Sequence, residues 1–236
     1  YPEARSVTVQ NGIITTLDDD PCGDIIDLKG GVMVPGFCDA HLHLANFGKI
    51  LDDLDLRGVK SHHQILEKVK EKTKELAPGK WIIGRGWDQN LWQDNNFPMA
   101  ELLDRISPNH PVALTRIDGH SIWANKVVRQ MIGYTSGQSQ SDGGTVINDC
   151  IFVDRSMEDI QKIVPDPDQT TLKRQIQNAV NVLIRCGITM VHDAWVTPSI
   201  LKAVKELISE GNFHITFYGM LASDDEDFLK SCFKSG

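Results

Sequence analysis

No apolar run in this sequence is long enough to cross a bilayer as a helix; the longest are strand-length, which argues against a membrane span. Positive charge is in short supply. Lys and Arg number 24 against 32 Asp and Glu, a formal charge of −8, and no Lys/Arg cluster forms a basic stripe. Phosphate-backbone binding therefore has no footprint, and nucleic acid is not expected as a partner. Cysteine is sparse: Cys22, Cys38, Cys150, Cys186 and Cys232 are odd in number, scattered, and form no C-x-x-C pair. That argues against a disulfide framework and fits the reduced thiols of a cytoplasmic protein better. Neither an initiator Met nor a secretory signal is present, and there is no internal repeat or low-complexity tract.

What remains is an ordinary globular composition, 41% hydrophobic and 24% charged over 236 residues, enough for one large domain or a domain with a subdomain. The opening stretch reads as short strands. Asn11-Gly12 lies between Ser6–Gln10 and Ile13–Thr16, a strong hairpin signal. Ile25–Leu28 and Val32–Val34 are also strand-like around a Lys29-Gly30-Gly31 turn, and Pro35-Gly36 breaks the pattern.

Ser61 and Gln64 resemble a capping box opening a helix to about Ala77, with Ile65, Val69, Thr73 and Leu76 along one face. Strands follow at Trp81–Gly84 and Pro111–Arg116, and Ser121 can cap a helix ended by Gly133. Residues 135–145 read as a loop, and 146–164 fit no single pattern. From about Asp168 to Cys186 the helical period returns, with Leu172, Ile176, Ala179, Val180 and Leu183 on one side. Strand Ile188–Val191, finishing at His192-Asp193, helix Pro198–Glu210, strand Phe213–Met220 and a helix from Ser223 complete an alternation that predicts βα units and a parallel sheet.

The most informative segment is Pro35-Gly36-Phe37-Cys38-Asp39-Ala40-His41-Leu42-His43-Leu44. Read as one buried strand, it puts His41 and His43 on one face and Ala40, Leu42 and Leu44 on the other. Two imidazoles one pleat apart can share a cation. Asp39 shares their parity one step deeper, whereas Cys38 has the opposite parity and cannot join them on a regular strand. The bland alternative is an exposed strand carrying two histidines by chance.

Pro-Gly-Phe-x-Asp-Ala-His-x-His closely resembles the first-strand signature of the amidohydrolase superfamily. Gly84-Arg85-Gly86-Trp87-Asp88-Gln89-Asn90-Leu91-Trp92, Asp118-Gly119-His120-Ser121-Ile122-Trp123-Ala124-Asn125 and Gly187-Ile188-Thr189-Met190-Val191-His192-Asp193 add three further likenesses. Together they are similar to amidohydrolase family 3, which includes N-substituted formamide deformylases, and they cover about Ile25 to Met220.

The resemblance implies an α/β fold: part of a metal-dependent hydrolase TIM-type (β/α)8 barrel, with a partial N-terminal β-sandwich and an inserted α/β subdomain. Residues 1–36 would belong to the urease-like composite sandwich, 37–46 and 165–236 to the barrel, and 47–164 to the insertion. The other division makes Trp81 and Val112 barrel strands themselves. The single helix directly before Gly187-Ile188-Thr189 favours the insertion.

Catalytic residues sit at the C-terminal ends of barrel strands. The implied site takes one or two divalent ions, zinc by type, on His41 and His43. Its lysine, two further histidines and proton-shuttling aspartate are expected beyond Gly236; neither Lys230 nor Lys234 takes the lysine's role. Trp87, Asp88 and His120 are candidates to line the pocket of a small amide-type substrate. As alternatives Trp87 is core, Asp88 caps a turn and His120 is a turn histidine. Asp193 reads better as a helix cap, His62 and His63 as a solvated helix start, and His110 as surface.

The implied reaction is hydrolysis of a non-peptide C–N bond by metal-activated water. A catalytically inactive fragment pairing through its open edge, and a related metal-dependent deaminase, are the competing readings. A homodimer is left open. The span 145–159 departs from the family, with Asn148-Asp149-Cys150-Ile151 where a Gly-containing turn is usual.

Overall fold

The computed structural model describes residues 3–19, 23–137 and 143–235. Cys22 and the middle of the expected 135–145 loop lie outside them. The chain divides into two units, residues 1–35 and 36–236.

In the first unit β1 (Val7–Gln10) and β2 (Ile13–Leu17) form the expected hairpin, with Asn11 and Gly12 at φ +52° and +77°. Both central residues take the left-handed region that a right-twisted hairpin needs. The Lys29-Gly30 turn also forms, closed by Gly31 N–H donating to Leu28 C=O at 2.8 Å. Its arms, however, are not strands. Ile25, Ile26 and Val32 are exposed and enter no ladder. An apolar extended segment becomes a strand only when a neighbour accepts its backbone bonds.

The second unit is α/β, with two separate sheets. Its elements run β3 (Phe37–Leu42), α1 (Leu44–Asp52), β4 (Leu54–Asp55), α2 (His62–Glu75), β5 (Ile82–Trp87), α3 (Ala100–Ile106), β6 (Val112–Arg116), β7 (Ser121–Ala124), α4 (Lys126–Met131), β8 (Gly144–Ile147) and β9 (Ile151–Asp154). Then come α5 (Glu158–Ile163), α6 (Gln169–Arg185), β10 (Ile188–Val196), α7 (Pro198–Ser209), β11 (Thr216–Leu221) and α8 (Glu226–Ser235). One sheet is parallel, in the order β11-β10-β3; the other is mixed, in the order β4-β5-β6-β7-β9-β8. Trp81 precedes β5, and Val112 opens β6, so both belong with the mixed sheet.

In the mixed sheet, neighbouring residues alternate between two cores. Leu114, Trp123 and Ile151 join one, with Trp87, Trp92, Ile65 and Val69, while Ala113, Ile122 and Phe152 join the other, with Val128 and Ile160. Period-two alternation with apolar residues on both sides marks a sheet buried on both faces. α2 starts as its sequence predicts: Ser61 Oγ accepts Gln64 N–H at 3.3 Å, while the Gln64 side chain reaches Lys60 N–H at 2.9 Å.

Two expectations here are corrected. Ser121 caps no helix; it lies in β7, and buried Asn125 caps α4 instead. His110 is buried, with Nδ1 3.0 Å from Lys80 C=O. The ambiguous 146–164 span contains a tight hairpin. Asn148 and Asp149, at φ +51° and +56°, turn β8 into β9, with Cys150 N–H on Ile147 C=O.

The parallel sheet is covered on one face by α1, α6 and α7, whose buried Leu44, Ile176, Ala179, Val180, Leu183, Val204 and Leu207 form one core with Val191. This is the apolar face that the helical period predicted for α6. α1 lies so close to α6 that a Cβ on Gly48 would clash with the Gln175 carbonyl. Arg174 on α6 makes a two-pronged bond to Asp52 of α1 at 2.7 and 2.6 Å. No helix among the described residues is long and apolar enough to cross a membrane.

Candidate metal centre

β3 is shorter than expected. It ends at Leu42, His43 is the N-cap of α1, and Leu44 is already helical and fully buried. Leu44 therefore packs through the helix rather than through a strand face. The strand is also irregular: Val191 pairs with Asp39 but Asp193 pairs with Leu42, so β3 carries one extra residue between those positions. A bulge of this kind breaks strict alternation. The Asp39 carboxylate turns back to accept the N–H of His41 at 3.0 Å. The parity that linked Asp39 to the histidines does not survive the bulge.

The two imidazoles nevertheless come together. Their ring centroids lie 5.5 Å apart, with ring planes at 81°. They stand where β3 gives way to α1, the C-terminal end of a parallel strand. His41 is exposed, and the His43 side chain is 44% exposed. Its Nδ1 lies 4.0 Å from Oδ1 of Asp193, a carboxylate that is 1% exposed. Asp193 Oδ2 accepts the N–H of Leu44 at 3.0 Å, and Oδ1 accepts that of Trp195 at 2.9 Å.

Asp193 is thus a helix cap, but of α1, 149 residues away, not of the helix that follows it. Thr197 caps α7. β10 does not stop at His192-Asp193 but runs on to Val196. No group of three His, Cys, Asp or Glu able to hold a metal exists among the described residues. As nitrogen donors, His41 and His43 fit two positions of a divalent-ion site and no more.

A second imidazole pair lies elsewhere. His62 and His63, at the start of α2, have ring centroids 4.3 Å apart, and the His62 ring meets Trp92 at 5.9 Å. Burial, then the neighbouring His63 charge, lowers the His62 pKa. The expected solvated helix start is in fact partly packed.

The three pocket candidates separate. Trp87 is fully buried, its indole N–H donates to Leu114 C=O at 2.7 Å, and it packs on Trp92, Phe97 and Trp123. It belongs to the core cluster of the mixed sheet. Asp88 opens a short turn of 3-10 helix by accepting Asn90 N–H at 3.0 Å, and Arg116 approaches it at 3.5 Å. His120 has its side chain 72% exposed and contacts Asp154 at 3.0 Å.

Sequence reading missed Arg116, which also bonds Gln89 at 2.8 Å and Asp118, tying together the ends of β5 and β6. Its signal was its place at the end of a buried strand, two residues before an aspartate.

Residues 24–232 match the model of the amidohydrolase family. The Bacillus subtilis (strain 168) protein YtcJ, whose name assigns it to the amidohydrolases, is 33% identical over 173 residues, 71% of this chain and 33% of that protein. The N-substituted formamide deformylase of Arthrobacter pascens is 26% identical over 156 residues, 62% of this chain and 29% of that protein. Among solved structures, an uncharacterized metal-dependent hydrolase from Pyrococcus furiosus superposes with a TM-score of 0.66 at 30% identity, over 84% of this chain and 40% of that one. The chain thus spans about a third of the length of these curated relatives. With the family's model matched over residues 24–232 of its 236, the chain belongs to the amidohydrolase family.

Proposed function

We propose that this chain is the N-terminal part of a metal-dependent hydrolase that cleaves a non-peptide, amide-type C–N bond of a small molecule. The observation that carries this reading is the convergence of His41 and His43 at the C-terminal end of β3. His41 and His43 would hold a divalent ion, zinc by their chemistry, with bonds of about 2.0–2.1 Å. When bound, such an ion supplies a water with a lowered pKa and polarises a carbonyl. The chain's own residues keep the two rings together and α1 fixed beside them.

We read β3, β10 and β11 as the first three staves of a (β/α)8 barrel. Their parallel order, with α6 and α7 as the helices of the repeating units, supports it. The mixed sheet, continuous in sequence from Leu54 to Asp154, would be the insertion, and residues 1–36 a part of the sandwich. Both ends of the parallel sheet, β3 and β11, are open edges among the described residues. Further strands pairing there would cover their free backbone groups.

Two imidazoles are fewer than the three protein ligands of a typical catalytic zinc centre. On this reading residues outside 1–236 complete the site, and the chain by itself binds metal without turning over substrate. Of the pocket candidates, His120 presents its ring to solvent, whereas Asp88 is engaged in its turn.

Zinc affinity measured by competition with a chromophoric chelator tests the assignment. His41→Ala with His43→Ala is expected to abolish binding that the wild type shows. Undiminished binding in the double variant contradicts it.

A further inference from the structure

We propose that Asp193 is the positioning residue of the histidine pair, fixing His43 so that its Nε2 is the nitrogen offered to the cation. The inference rests on the reading of His41 and His43 as metal ligands, and it assigns a role to a side chain that reading does not use.

Asp193 lies on β10, the central strand of the parallel sheet, in register with Leu42 on one side and Gly219 on the other. Its carboxylate is buried, and burying one is costly unless partners replace water. Oδ2 takes the Leu44 N–H at 3.0 Å, and Oδ1 takes the Trp195 N–H at 2.9 Å. Leu44 is the first residue of α1, and His43, the N-cap, gives that helix no side-chain bond. The carboxylate therefore stands at an otherwise uncapped helix start, where backbone N–H groups and the helix dipole favour negative charge.

The same Oδ1 lies 4.0 Å from His43 Nδ1. That is beyond hydrogen-bond length, yet it makes Nδ1 the nitrogen that faces the carboxylate. Metal-bound imidazoles usually direct their second ring nitrogen to a carboxylate or carbonyl, which fixes the tautomer and ring orientation. Here one anchored group can do both jobs: it holds the turn from β3 into α1, and it faces the non-ligating nitrogen. Capping alone would be met by a neutral Ser, Thr or Asn. A charged acceptor facing an imidazole is what ligand positioning asks for.

The test uses the full chain with zinc as the probe. Asp193→Asn keeps the shape and one acceptor but removes the charge. It is expected to weaken zinc binding by roughly 10–100-fold, as loss of such a supporting carboxylate typically does, while far-ultraviolet dichroism stays native. A variant with lowered Tm but unchanged zinc affinity has lost only a cap, which overturns the proposal.

A spectroscopic readout on the wild type keeps the question decidable if Asp193→Asn does not fold. Nitrogen-15 shifts of the zinc-loaded protein should show His43 bound through Nε2 with Nδ1 protonated. Ligation through Nδ1 overturns the proposal. Binding that survives His41→Ala with His43→Ala overturns the metal-site reading itself. Binding lost in that double variant but kept in folded Asp193→Asn overturns only the role of Asp193.

Discussion

The mixed sheet buries both of its faces, whereas the parallel sheet buries one. In the first, Trp87, Trp123 and Phe152 are fully enclosed, and both layers are filled by its own helices and loops. In the second, Val191 lies in the core formed with α1, α6 and α7 and buried Asp193 caps α1, while Phe37, Trp195, Tyr218 and Met220 stay exposed along with His41 and His43. The self-sufficient region holds structure; the half-covered one holds the candidate chemistry. A site built at strand ends needs an open side for its ligand and substrate, and that side cannot also be core.

The largest effect that would sharpen the contrast lies in the mixed sheet. Asn125 is fully buried. Its Oδ1 accepts Val112 N–H at 3.1 Å and Val128 N–H at 3.3 Å, and its Nδ2 donates to Ser107 C=O at 2.9 Å and His110 C=O at 2.8 Å. Asn125→Ala leaves several buried groups unpaired and removes a helix cap, for an expected loss of about 3–4 kcal/mol in denaturant unfolding. Zinc affinity of the folded variant should be unchanged. A joint loss of stability and zinc binding would break the separation of the two regions.

A smaller effect lies where α1 leaves the parallel layer for β4. Asp52 there is clamped by Arg174. The next residue, Asp53, has no hydrogen bond or ion pair to its carboxylate among the described residues, and burial pushes its pKa up to about 6. A carboxyl raised this way is destabilising when ionised. Its cost is absent below the unfolded pKa of 3.8 and grows as pH rises through about 6. Asp53→Asn should match the wild type near pH 4, on the order of the unfolded value, and exceed it by about 1–2 kcal/mol at neutral pH. A difference independent of pH would contradict burial as the cause.

The smallest effect concerns thiols and leaves stability untouched. Cys38, on β3, is exposed, as is Cys186 at the end of α6. Cys150, in the mixed sheet, is fully buried, and burial pushes its thiol up to about 12. Thiolates are the reactive form, so alkylation of native protein should mark Cys38 and Cys186 and spare Cys150 until denaturant is added. Early labelling of Cys150 would mean that the mixed sheet opens readily.

Much of this was legible in the residues. The Asn11-Gly12 hairpin, the Ser61 cap, the buried face of α6 and the βα alternation after Asp168 follow from local patterns. The closeness of His41 and His43 was expected from strand alternation, but the strand stops before His43, which reaches its place as the N-cap of α1. What escaped local reading depends on partners far away in sequence. β3 stops at Leu42 because Asp193, on another strand, supplies the cap that starts α1. Trp87 sits in core because Trp92, Phe97 and Trp123 close around it from separate segments. Ile25–Leu28 and Val32–Val34 have strand composition but no ladder. Composition states a preference, and a sheet partner has to grant it.

The most direct test is a zinc titration of the protein followed through its imidazole resonances, because two pairs of histidine rings lie close together among the described residues. The His62–His63 rings are the closer pair, at 4.3 Å against 5.5 Å. The expected result is that the His41 and His43 signals move together at the lowest zinc concentrations. Early movement of His62 and His63, with His41 and His43 unchanged, would contradict the assignment of the metal centre.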